Sequence, residues 1–259
     1  MIIAVSFSYS LFPFSSLTLP SLLPLNYNGS MSTIAIILAG GAGTRLQGPL
    51  PKQFRLIGGR SLLEICLGTF QGHPGLDGII MVCPAAQMSL AEKTVAAGRF
   101  TKVINILPGG KTRQKSSSIG VSAAPNTSEN ILIHDAARAL VVPAVISRVL
   151  EALAHSRAVM PVLPVSDTTI RVDDAGVVTA ILDRAKLRRV QTPQGFKLEI
   201  IRQAHEKARA GGVTDASDDC SLVRRYDLAP VVTVMGDPAN IKVTYPQDLA
   251  IAEAILRDA

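Results

Sequence analysis

The 259-residue sequence contains no tryptophan and only four tyrosines. Surfaces that bind single-stranded nucleic acid stack bases on aromatic rings, so this scarcity argues weakly against such a surface. The net charge is +6, but the basic residues are scattered along the chain and form no basic run. This charge suits phosphate-bearing small molecules about as readily as it suits nucleic acid.

Cysteine is scarce as well. The three cysteines, Cys66, Cys83 and Cys220, are an odd number, and none lies in a Cys-x-x-Cys or Cys/His spacing. A disulfide framework and a structural zinc site are therefore disfavoured. We expect a reducing compartment, the cytoplasm.

Charged residues are missing from the start of the chain, where Arg45 is the first charge. A secretory signal needs a positive segment before its apolar stretch, and a transit peptide needs arginines, so residues 1–30 fit neither class. Pro13, Pro20 and Pro24 interrupt this segment, and no apolar run approaches ~20 residues, so we expect no membrane partner. Two interpretations of residues 1–30 stay open: a start codon assigned ahead of a true start at Met31, or a cleaved or disordered targeting segment.

From residue 33 onwards, apolar β-branched runs alternate with segments of helical spacing. The apolar runs predict strands over 33–39, 78–83, 103–107, 131–134 and 158–163, and a late strand over 240–243. Helical spacing predicts helices over 61–70, 84–98, 111–124, 143–155, 198–210 and 246–257. This alternation is typical of a Rossmann-like α/β domain, with a mostly parallel sheet and helices on both faces. Ligands bind such folds beyond the carboxyl ends of the strands.

The alternation breaks over residues 165–185. Two strand-like segments, 168–172 and 177–182, flank the turn sequence Asp173-Asp174-Ala175-Gly176, and this pattern predicts an inserted β-hairpin. A hairpin inserted in an α/β domain has little core of its own. We therefore predict that it is a dimerisation arm and that the protein is a homodimer.

A glycine-rich loop follows the first predicted strand and reads Leu38-Ala39-Gly40-Gly41-Ala42-Gly43-Thr44-Arg45-Leu46. Glycines after a strand let backbone N–H groups approach phosphate oxygens closely. Arg45, together with Lys52 shortly after the loop, adds positive charge where a triphosphate would lie. The loop is neither a Walker loop nor a dinucleotide fingerprint, because the required Gly-Lys-Ser/Thr and Gly-x-Gly-x-x-Gly patterns are absent.

Two further loops lie at the same predicted edge of the sheet. Gly109-Gly110 precedes a helix, whose first N–H groups can bind a ligand. Asp135 ends a buried strand, where a hard carboxylate suits Mg²⁺, and Arg138 follows it closely enough to reach a phosphate. We interpret His134 as a packed core residue, and the other three histidines as solvent-facing: His73, His155 and His205.

These motifs together resemble one enzyme family. The pattern LAGGAGTRL followed by Pro51-Lys52-Gln53 resembles nucleotidyltransferases that make nucleoside-diphosphate sugars and alcohols, and the Gln after Lys52 resembles the cytidylyltransferases of polyol phosphates. The segment 134–138, HDAAR, resembles 2-C-methyl-D-erythritol 4-phosphate cytidylyltransferases best. The resemblance implies that residues 31–259 form a nucleotidyltransferase domain. It also implies transfer of CMP from CTP to 2-C-methyl-D-erythritol 4-phosphate with Mg²⁺, in non-mevalonate isoprenoid precursor synthesis, and no nucleic-acid partner.

The resemblance also implies roles for individual residues. Those expected to stabilise the phosphates as catalytic residues are Arg45, Lys52 and Lys242. Those expected to bind the nucleotide are Ala39, Gly40, Gly41, Gly43, Gly110 and Ser116. Those expected to bind the second substrate are Asp135, which also holds Mg²⁺, Arg138, Thr168, Arg184, Thr192 and Thr214. Relatives commonly carry Val where this chain has Ser117.

One segment can be aligned in two ways. Its substrate-binding hydroxyl and carboxylate fall either at Thr214-Asp215 or at Ser217-Asp218, and its spacing up to Leu222 also resembles D-ribitol-5-phosphate cytidylyltransferases. Ribitol phosphate therefore stays open as the substrate, and so does a non-catalytic nucleotide sensor or scaffold. The set of three cations on one triphosphate favours an enzyme, because a pure binder has less need of all three.

Overall fold

The computed structural model describes residues 32–40 and 50–258 of the chain. The predictions for residues 1–30, and those for Gly41, Gly43 and Arg45, lie outside the described residues. Strands and helices mostly alternate from Thr33 to Pro164 and the alternation breaks after Pro164, as the sequence predicts.

The helices confirm the six predicted from sequence and add one, α6. They are α1 (Leu62–Gly72), α2 (Met88–Ala97), α3 (Arg113–Ala123), α4 (Pro143–Leu153), α5 (Leu198–Ala210), α6 (Asp219–Arg225) and α7 (Pro246–Arg257). Among the described residues, none of the helices is both long enough and apolar enough to cross a membrane.

The strands include the five predicted between residues 33 and 163. They are β1 (Thr33–Leu38), β2 (Leu56–Ile57), β3 (Arg60–Ser61), β4 (Gly78–Cys83), β5 (Val103–Pro108), β6 (Asn130–Asp135), β7 (Ala158–Pro164), β8 (Ile170–Val172), β9 (Val178–Ile181), β10 (Arg188–Val190), β11 (Gln194–Lys197) and β12 (Val231–Met235).

The main sheet is mostly parallel, which confirms the prediction. Strands β6, β1, β4 and β5 lie side by side and parallel, in that order. Strand β12 pairs with β7 in parallel, whereas β10 and β11 run antiparallel to the strands that they contact. The carboxyl ends of β6, β1, β4 and β5 therefore lie along one edge, where ligands bind folds of this class.

Strand β1 shows how helices cover both faces of this sheet. Its alternate side chains Ala35 and Ile37 belong to a core completed by residues of α1, α2, α4 and α7. Ile34 and Ile36 belong to a second core completed by residues of α3, α5 and α6. Because successive side chains of a strand point to opposite faces, a strand buried on both faces is apolar throughout.

Local signals fix where the helices begin. The Ser61 hydroxyl accepts a hydrogen bond from the Glu64 N–H (3.1 Å), and the Glu64 carboxylate accepts one from the Ser61 N–H (2.6 Å). This capping box is the one that the sequence predicts at the start of α1. At α3, the Thr112 hydroxyl accepts from the Lys115 N–H (3.1 Å), so the helix starts directly after the Gly109-Gly110 loop.

The inserted hairpin is confirmed, with β8 and β9 as its antiparallel strands. In its turn, Asp173 Oδ1 accepts hydrogen bonds from two backbone N–H groups, and Gly176 has a positive φ of 79°, which favours glycine. Its strands leave apolar side chains exposed to solvent, namely Ile170, Val172, Val178 and Ile181.

The predicted strand over 240–243 is wrong. Asn240 is fully buried, and its side-chain nitrogen donates to the Thr192 carbonyl (2.8 Å). The Asn240 carbonyl accepts from Arg138 Nη1 (2.9 Å), and Val243 N–H donates to the Ala137 carbonyl (2.8 Å). Side chains and a loop therefore satisfy the backbone groups that a neighbouring strand would otherwise satisfy.

The three cysteines are buried free thiols. Burial raises the pKa of the Cys66 thiol far above its ordinary value and that of Cys83 to about 11. Burial also raises the pKa of Cys220. The thiols therefore stay protonated and are poor nucleophiles at neutral pH.

Candidate active site

Three loops begin at the carboxyl edge of the parallel strands. The N–H groups of Ala39, Gly109 and Ala136, which directly follow β1, β5 and β6, each donate to a carbonyl near the end of a neighbouring strand over 2.8–3.0 Å. The ladder of the sheet thus continues one residue into each loop. This arrangement brings Ala39 and Gly40, which begin the glycine-rich segment, to the same edge as the Gly109-Gly110 loop and Asp135, as the sequence predicts.

Asp135 lies between two cations. Its Oδ2 atom accepts from Lys242 Nζ (2.8 Å) and its Oδ1 atom from Arg113 Nε (2.9 Å). Burial by itself raises the pKa of Asp135, but the charges of Arg113 and Lys242 together hold it well below its usual range. Asp135 is therefore a carboxylate at neutral pH, with Lys242 directly beside it.

Arg113 connects Asp135 to a second buried carboxylate. Its Nη1 atom donates to Asp219 Oδ2 (2.8 Å), and the Asp219 side chain is only 1% exposed. The other oxygen of Asp219 accepts from the Ser117 hydroxyl (2.5 Å) and lies 3.2 Å from His205 Nε2. Burial favours a raised pKa for Asp219, but Arg113 and these hydrogen bonds lower it to about 2.

His134 is buried beside Asp135, as a core residue, and its hydrogen bonds fix its tautomer. Its Nε2 atom lies 3.1 Å from the Arg138 carbonyl, which can only accept, so Nε2 carries the proton. Its Nδ1 atom therefore accepts from the Thr192 hydroxyl (2.9 Å), while that hydroxyl accepts from the Asp135 N–H (3.2 Å). Burial lowers the pKa of His134 to about 4, so the ring is neutral at pH 7.

Arg138 ties two segments of the chain to the site. Its Nη1 and Nη2 atoms donate to the carbonyls of Asn240 (2.9 Å) and Val190 (3.0 Å). Its Nε atom is buried and has no hydrogen-bond partner within the described part of the chain. Arg138 thereby holds the segment that carries Lys242, and its predicted contact with substrate stays a prediction.

The two residues predicted to read the base lie together. The Gly110 N–H donates to the Ser116 hydroxyl (3.1 Å), which in turn donates to the Thr112 carbonyl (3.0 Å). A β-carbon added at Gly110 would overlap the Lys115 side chain, so the backbone and α3 approach too closely for any larger residue.

Lys52 is held near the end of β1 by contacts of the residue that follows it. The residue after it, Gln53, is buried, donates to the Ala39 carbonyl (2.7 Å) and contacts Gln87. Among the described residues, none has an atom within 4 Å of a β-carbon added at Gly40. The predicted nucleotide-binding residues Ala39 and Gly40 therefore lie at the same edge as Gly110.

The remaining predicted substrate residues lie on the surface. Thr168 and Arg184 are exposed at the base of the hairpin, where Arg184 Nη1 donates to the Ser166 carbonyl (2.8 Å). Thr214 is exposed and lines a cavity of about 180 Å³ beside the start of α3. Asp218 caps α6 by accepting from the Ser221 N–H (2.7 Å). Both alignments of this segment stay predictions.

Asp135 is the candidate metal ligand, and its surroundings fit Mg²⁺. Mg²⁺ is usually held by one or two carboxylates together with substrate phosphates. Among the described residues, no group of three or more His, Cys, Asp or Glu side chains could hold a metal on its own. A single ionised carboxylate at the ligand edge suits a metal that arrives with a triphosphate.

A sequence model of the family described as "IspD: 2-C-methyl-D-erythritol 4-phosphate cytidylyltransferase" matches residues 33–258. The chain belongs to this family. It is accordingly a cytidylyltransferase, and the family assignment suggested by the HDAAR segment is confirmed.

Named relatives agree with the family match. The 2-C-methyl-D-erythritol 4-phosphate cytidylyltransferase of Thermobifida fusca is 43% identical over 230 residues, which cover 86% of this chain and 92% of the relative. The crystal structure of 4-diphosphocytidyl-2C-methyl-D-erythritol synthase from Anaerococcus prevotii has a TM-score of 0.78 and 29% identity, covering 88% of this chain and 100% of that one.

Some relatives are longer than this chain. The bifunctional enzyme IspD/IspF of Nitrobacter hamburgensis is 40% identical over 228 residues, which cover 88% of this chain but 56% of the relative. This chain therefore spans little more than half of that bifunctional enzyme, and the likeness extends to that part alone.

Sequence reasoning missed two residues of this site and placed two histidines wrongly. Arg113 lies in the segment GGKTRQKS directly after the Gly109-Gly110 pair, which was its available signal. Asp219 is 106 residues further on, in the segment up to Leu222 that aligns in two ways, and neither alignment selects it. His73 and His205 are buried rather than solvent-facing, because each has a polar partner inside the fold: Ser147 for His73, and Asp219 for His205.

Proposed function

We propose that this chain transfers CMP from CTP to 2-C-methyl-D-erythritol 4-phosphate. The products are 4-diphosphocytidyl-2-C-methyl-D-erythritol and pyrophosphate, and the reaction serves non-mevalonate isoprenoid precursor synthesis. The observation that carries the proposal is the position of Asp135, with Lys242 and Arg113 on its oxygens, beside the loops that begin at Ala39 and Gly109. The family match and the names of the relatives support the substrate and give no support to ribitol phosphate.

The chemical step is an in-line displacement. A phosphate oxygen of the polyol phosphate attacks the α-phosphorus of CTP and forms a new P–O bond. The bond from that phosphorus to the α–β bridging oxygen breaks, and pyrophosphate leaves with the electron pair. A phosphate monoester is already an anion at neutral pH, so the step needs no general base.

The cations of the site stabilise the charge that builds up on the phosphates. Lys242 is suited to this because its side chain is 44% exposed, so its ammonium group can turn from Asp135 to a phosphate oxygen. Lys52 and Arg45 serve the same purpose on the glycine-rich loop. Fixed charges aimed at a transferring phosphoryl group are usually a large part of the rate enhancement.

Asp135 is the residue that would hold Mg²⁺. When bound, the metal ion would neutralise part of the charge on the phosphates. Around it, this chain keeps Asp135 ionised, keeps the neutral His134 ring behind it, and fixes its backbone through the Thr192 hydroxyl.

The hairpin supports a homodimer. Four of its apolar side chains, Ile170, Val172, Val178 and Ile181, are each at least 47% exposed, which suits burial against a second copy of the chain. Arg184, at the base of the hairpin, and Thr214 would then hold the substrate phosphate across the dimer. The three free buried thiols support a reducing compartment, the cytoplasm.

Pyrophosphate release tests the proposal. Purified protein with CTP and Mg²⁺ is given 2-C-methyl-D-erythritol 4-phosphate or, in parallel, D-ribitol 5-phosphate. Release with the first substrate alone is expected, and Asp135→Asn should abolish it. The matched control Asp227→Asn removes a carboxylate that is 93% exposed and should leave the rate unchanged. Pyrophosphate release with D-ribitol 5-phosphate alone would show that ribitol phosphate is the substrate instead. CTP binding without pyrophosphate release would favour a non-catalytic protein.

A further inference from the structure

Arg113 is shared between two carboxylates that differ in how firmly they are held. Both oxygens of Asp219 are engaged, one by Arg113 and the other by Ser117 and His205, and its side chain is 1% exposed. Asp135 is 12% exposed, and its Oδ2 atom is held by Lys242, a flexible side chain that is 44% exposed. One carboxylate is therefore fixed, whereas one oxygen of the other can be exchanged.

We infer that Asp219 is a positioning residue for the metal site, because it holds Arg113 on a single oxygen of Asp135 and leaves the other oxygen available to Mg²⁺. This inference rests on the proposed function. Asp219 would act on the reaction without contacting substrate or metal, through its buried ion pair with Arg113.

The geometry of the guanidinium group explains why Arg113 needs a second anion. Arginine prefers to bind a carboxylate with two parallel N–H groups. In this structure Arg113 Nε donates to Asp135 and Arg113 Nη1 donates to Asp219, so the two N–H groups bind different carboxylates. Without the Asp219 charge, Arg113 can place two donors on Asp135 and occupy the oxygen that the metal needs.

Charge balance leads to the same conclusion. Asp135 and Asp219 carry two negative charges, and Arg113 and Lys242 carry two positive charges, so the cluster is neutral. Replacing Asp219 with a neutral residue leaves one net positive charge beside Asp135. A positive charge at a few ångströms weakens the binding of a divalent cation, the more so where water is largely excluded.

Three helices fix the position of Asp219. Asp219 is the first residue of α6, Ser117 lies on α3 and His205 on α5. The Ser117 hydroxyl donates over 2.5 Å to the Asp219 oxygen that Arg113 does not contact, so it fixes the carboxylate while Arg113 is bound to the other oxygen.

Metal binding without turnover tests this inference. Mn²⁺, as a probe for Mg²⁺, is titrated into the protein–CTP complex without polyol phosphate and followed by electron paramagnetic resonance. Asp219→Asn should weaken Mn²⁺ binding by about 10- to 100-fold, the usual effect of losing a residue that orients a metal ligand. CTP affinity without metal should change by less than about twofold, and Asp219→Glu, which keeps the charge, should recover part of the Mn²⁺ affinity.

Two further variants keep the test decisive. Ser117→Ala keeps both charges and removes one hydrogen bond, so it should fold and should weaken Mn²⁺ binding less than Asp219→Asn does. Asp227→Asn is the control of equal charge change and should bind Mn²⁺ like the parent. Parent-like Mn²⁺ affinity in folded Asp219→Asn and in Ser117→Ala would overturn the inference. A parent protein that binds no Mn²⁺ in the presence of CTP would instead overturn the metal role in the proposed function.

Discussion

The ammonium group of Lys242 lies 2.8 Å from Asp135 Oδ2, although 107 residues separate the two in sequence. Backbone contacts produce this pairing, because Val243 N–H donates to the Ala137 carbonyl (2.8 Å) directly beyond β6. Lys242 thus places a cation on the carboxylate that is proposed to receive Mg²⁺. We interpret Lys242 as a cation that turns from Asp135 to the triphosphate when CTP binds.

Replacing Lys242 with methionine tests that interpretation. We expect Lys242→Met to lower kcat for CMP transfer by about 10²- to 10³-fold at saturating Mg²⁺, the usual effect of removing one donor that stabilises transition-state charge. Steady-state kinetics with CTP and 2-C-methyl-D-erythritol 4-phosphate measure it. Lys93→Met, which removes an exposed lysine of α2, is the control. A loss of less than about threefold in kcat would mean that Lys242 has only a structural role.

Gly110 is predicted to be intolerant of any side chain. In Gly110→Ala, the added carbon lies 2.7 Å from Lys115 Cβ, so the loop must move away from α3. Overpacking of this kind costs about 1–3 kcal/mol, and we expect the KM for CTP to rise about tenfold. Gly72→Ala is the matched control, because an added carbon there meets nothing within 4 Å. An unchanged KM for CTP in Gly110→Ala would show that the Gly109-Gly110 loop does not bind the nucleotide.

His134 is predicted to stay neutral, with its proton on Nε2, throughout the physiological range. Its folded pKa of about 4 lies below the unfolded value of about 6.5, so the unfolded chain binds more protons between these values. His134 therefore lowers the free energy of unfolding as the pH falls from about 6.5 to about 4. Histidine ¹⁵N spectra, assigned with His134→Gln, measure both tautomer and titration. A proton on Nδ1, or titration near pH 6.5, would contradict the hydrogen bonds to Arg138 and Thr192.

The two buried carboxylates predict a second pH effect, at lower pH. Because Asp135 and Asp219 have pKa values below their ordinary ones in the folded state, their stabilisation is complete above the unfolded pKa of about 3.9 and is lost as the pH falls toward 2. Urea unfolding between pH 5 and pH 3 should show a smaller loss of stability in Asp219→Asn than in the parent. The variant should also be about 3–5 kcal/mol less stable at pH 7, because Arg113 loses a buried partner. Equal losses of stability in both proteins would show that protonation of Asp219 does not contribute to unfolding at low pH.

The sequence predicted those parts of the fold that rest on apolar patterning. Runs such as 78–83, which are buried on both faces, are predicted as strands from their apolar, β-branched character, and Asp135 at the end of such a run marks the ligand edge. The segment 240–243 was predicted as a strand because it has the same local character. Its conformation depends instead on Arg138 and Gln191, side chains distant in sequence, of which Gln191 Nε2 donates to the Asn240 carbonyl (3.1 Å).

In the candidate site, too, contacts between residues distant in sequence could not be predicted from local patterns. Asp135 and Lys242 were found because each lies in a motif of its own. The Arg113–Asp219 pair is formed by two helices on one face of the sheet, and no local spacing predicts which of the acids near residue 219 faces Arg113. The structure supplies that choice, since Asp218 caps α6 while Asp219 points to Arg113.

The exposed apolar side chains of the hairpin predict that one substitution there changes the oligomeric state. Ile181 is 75% exposed in the single chain, so Ile181→Asp should leave the fold intact and should convert the proposed dimer to monomers, as measured by analytical ultracentrifugation. Ile251→Asp, a similar change at an exposed isoleucine of α7, should leave the dimer unaffected. A parent protein that sediments as a monomer at micromolar concentration would contradict the predicted dimer.

The central claim is that a phosphate oxygen of the polyol phosphate attacks the α-phosphorus of CTP at the Asp135–Lys242 site. The most direct measurement uses 2-C-methyl-D-erythritol 4-phosphate labelled with ¹⁸O in all of its phosphate oxygens, with mass spectrometry of both products. We predict that all of the label remains in 4-diphosphocytidyl-2-C-methyl-D-erythritol and that the pyrophosphate is unlabelled. Label in the pyrophosphate, or no labelled cytidylyl product at all, would contradict the account.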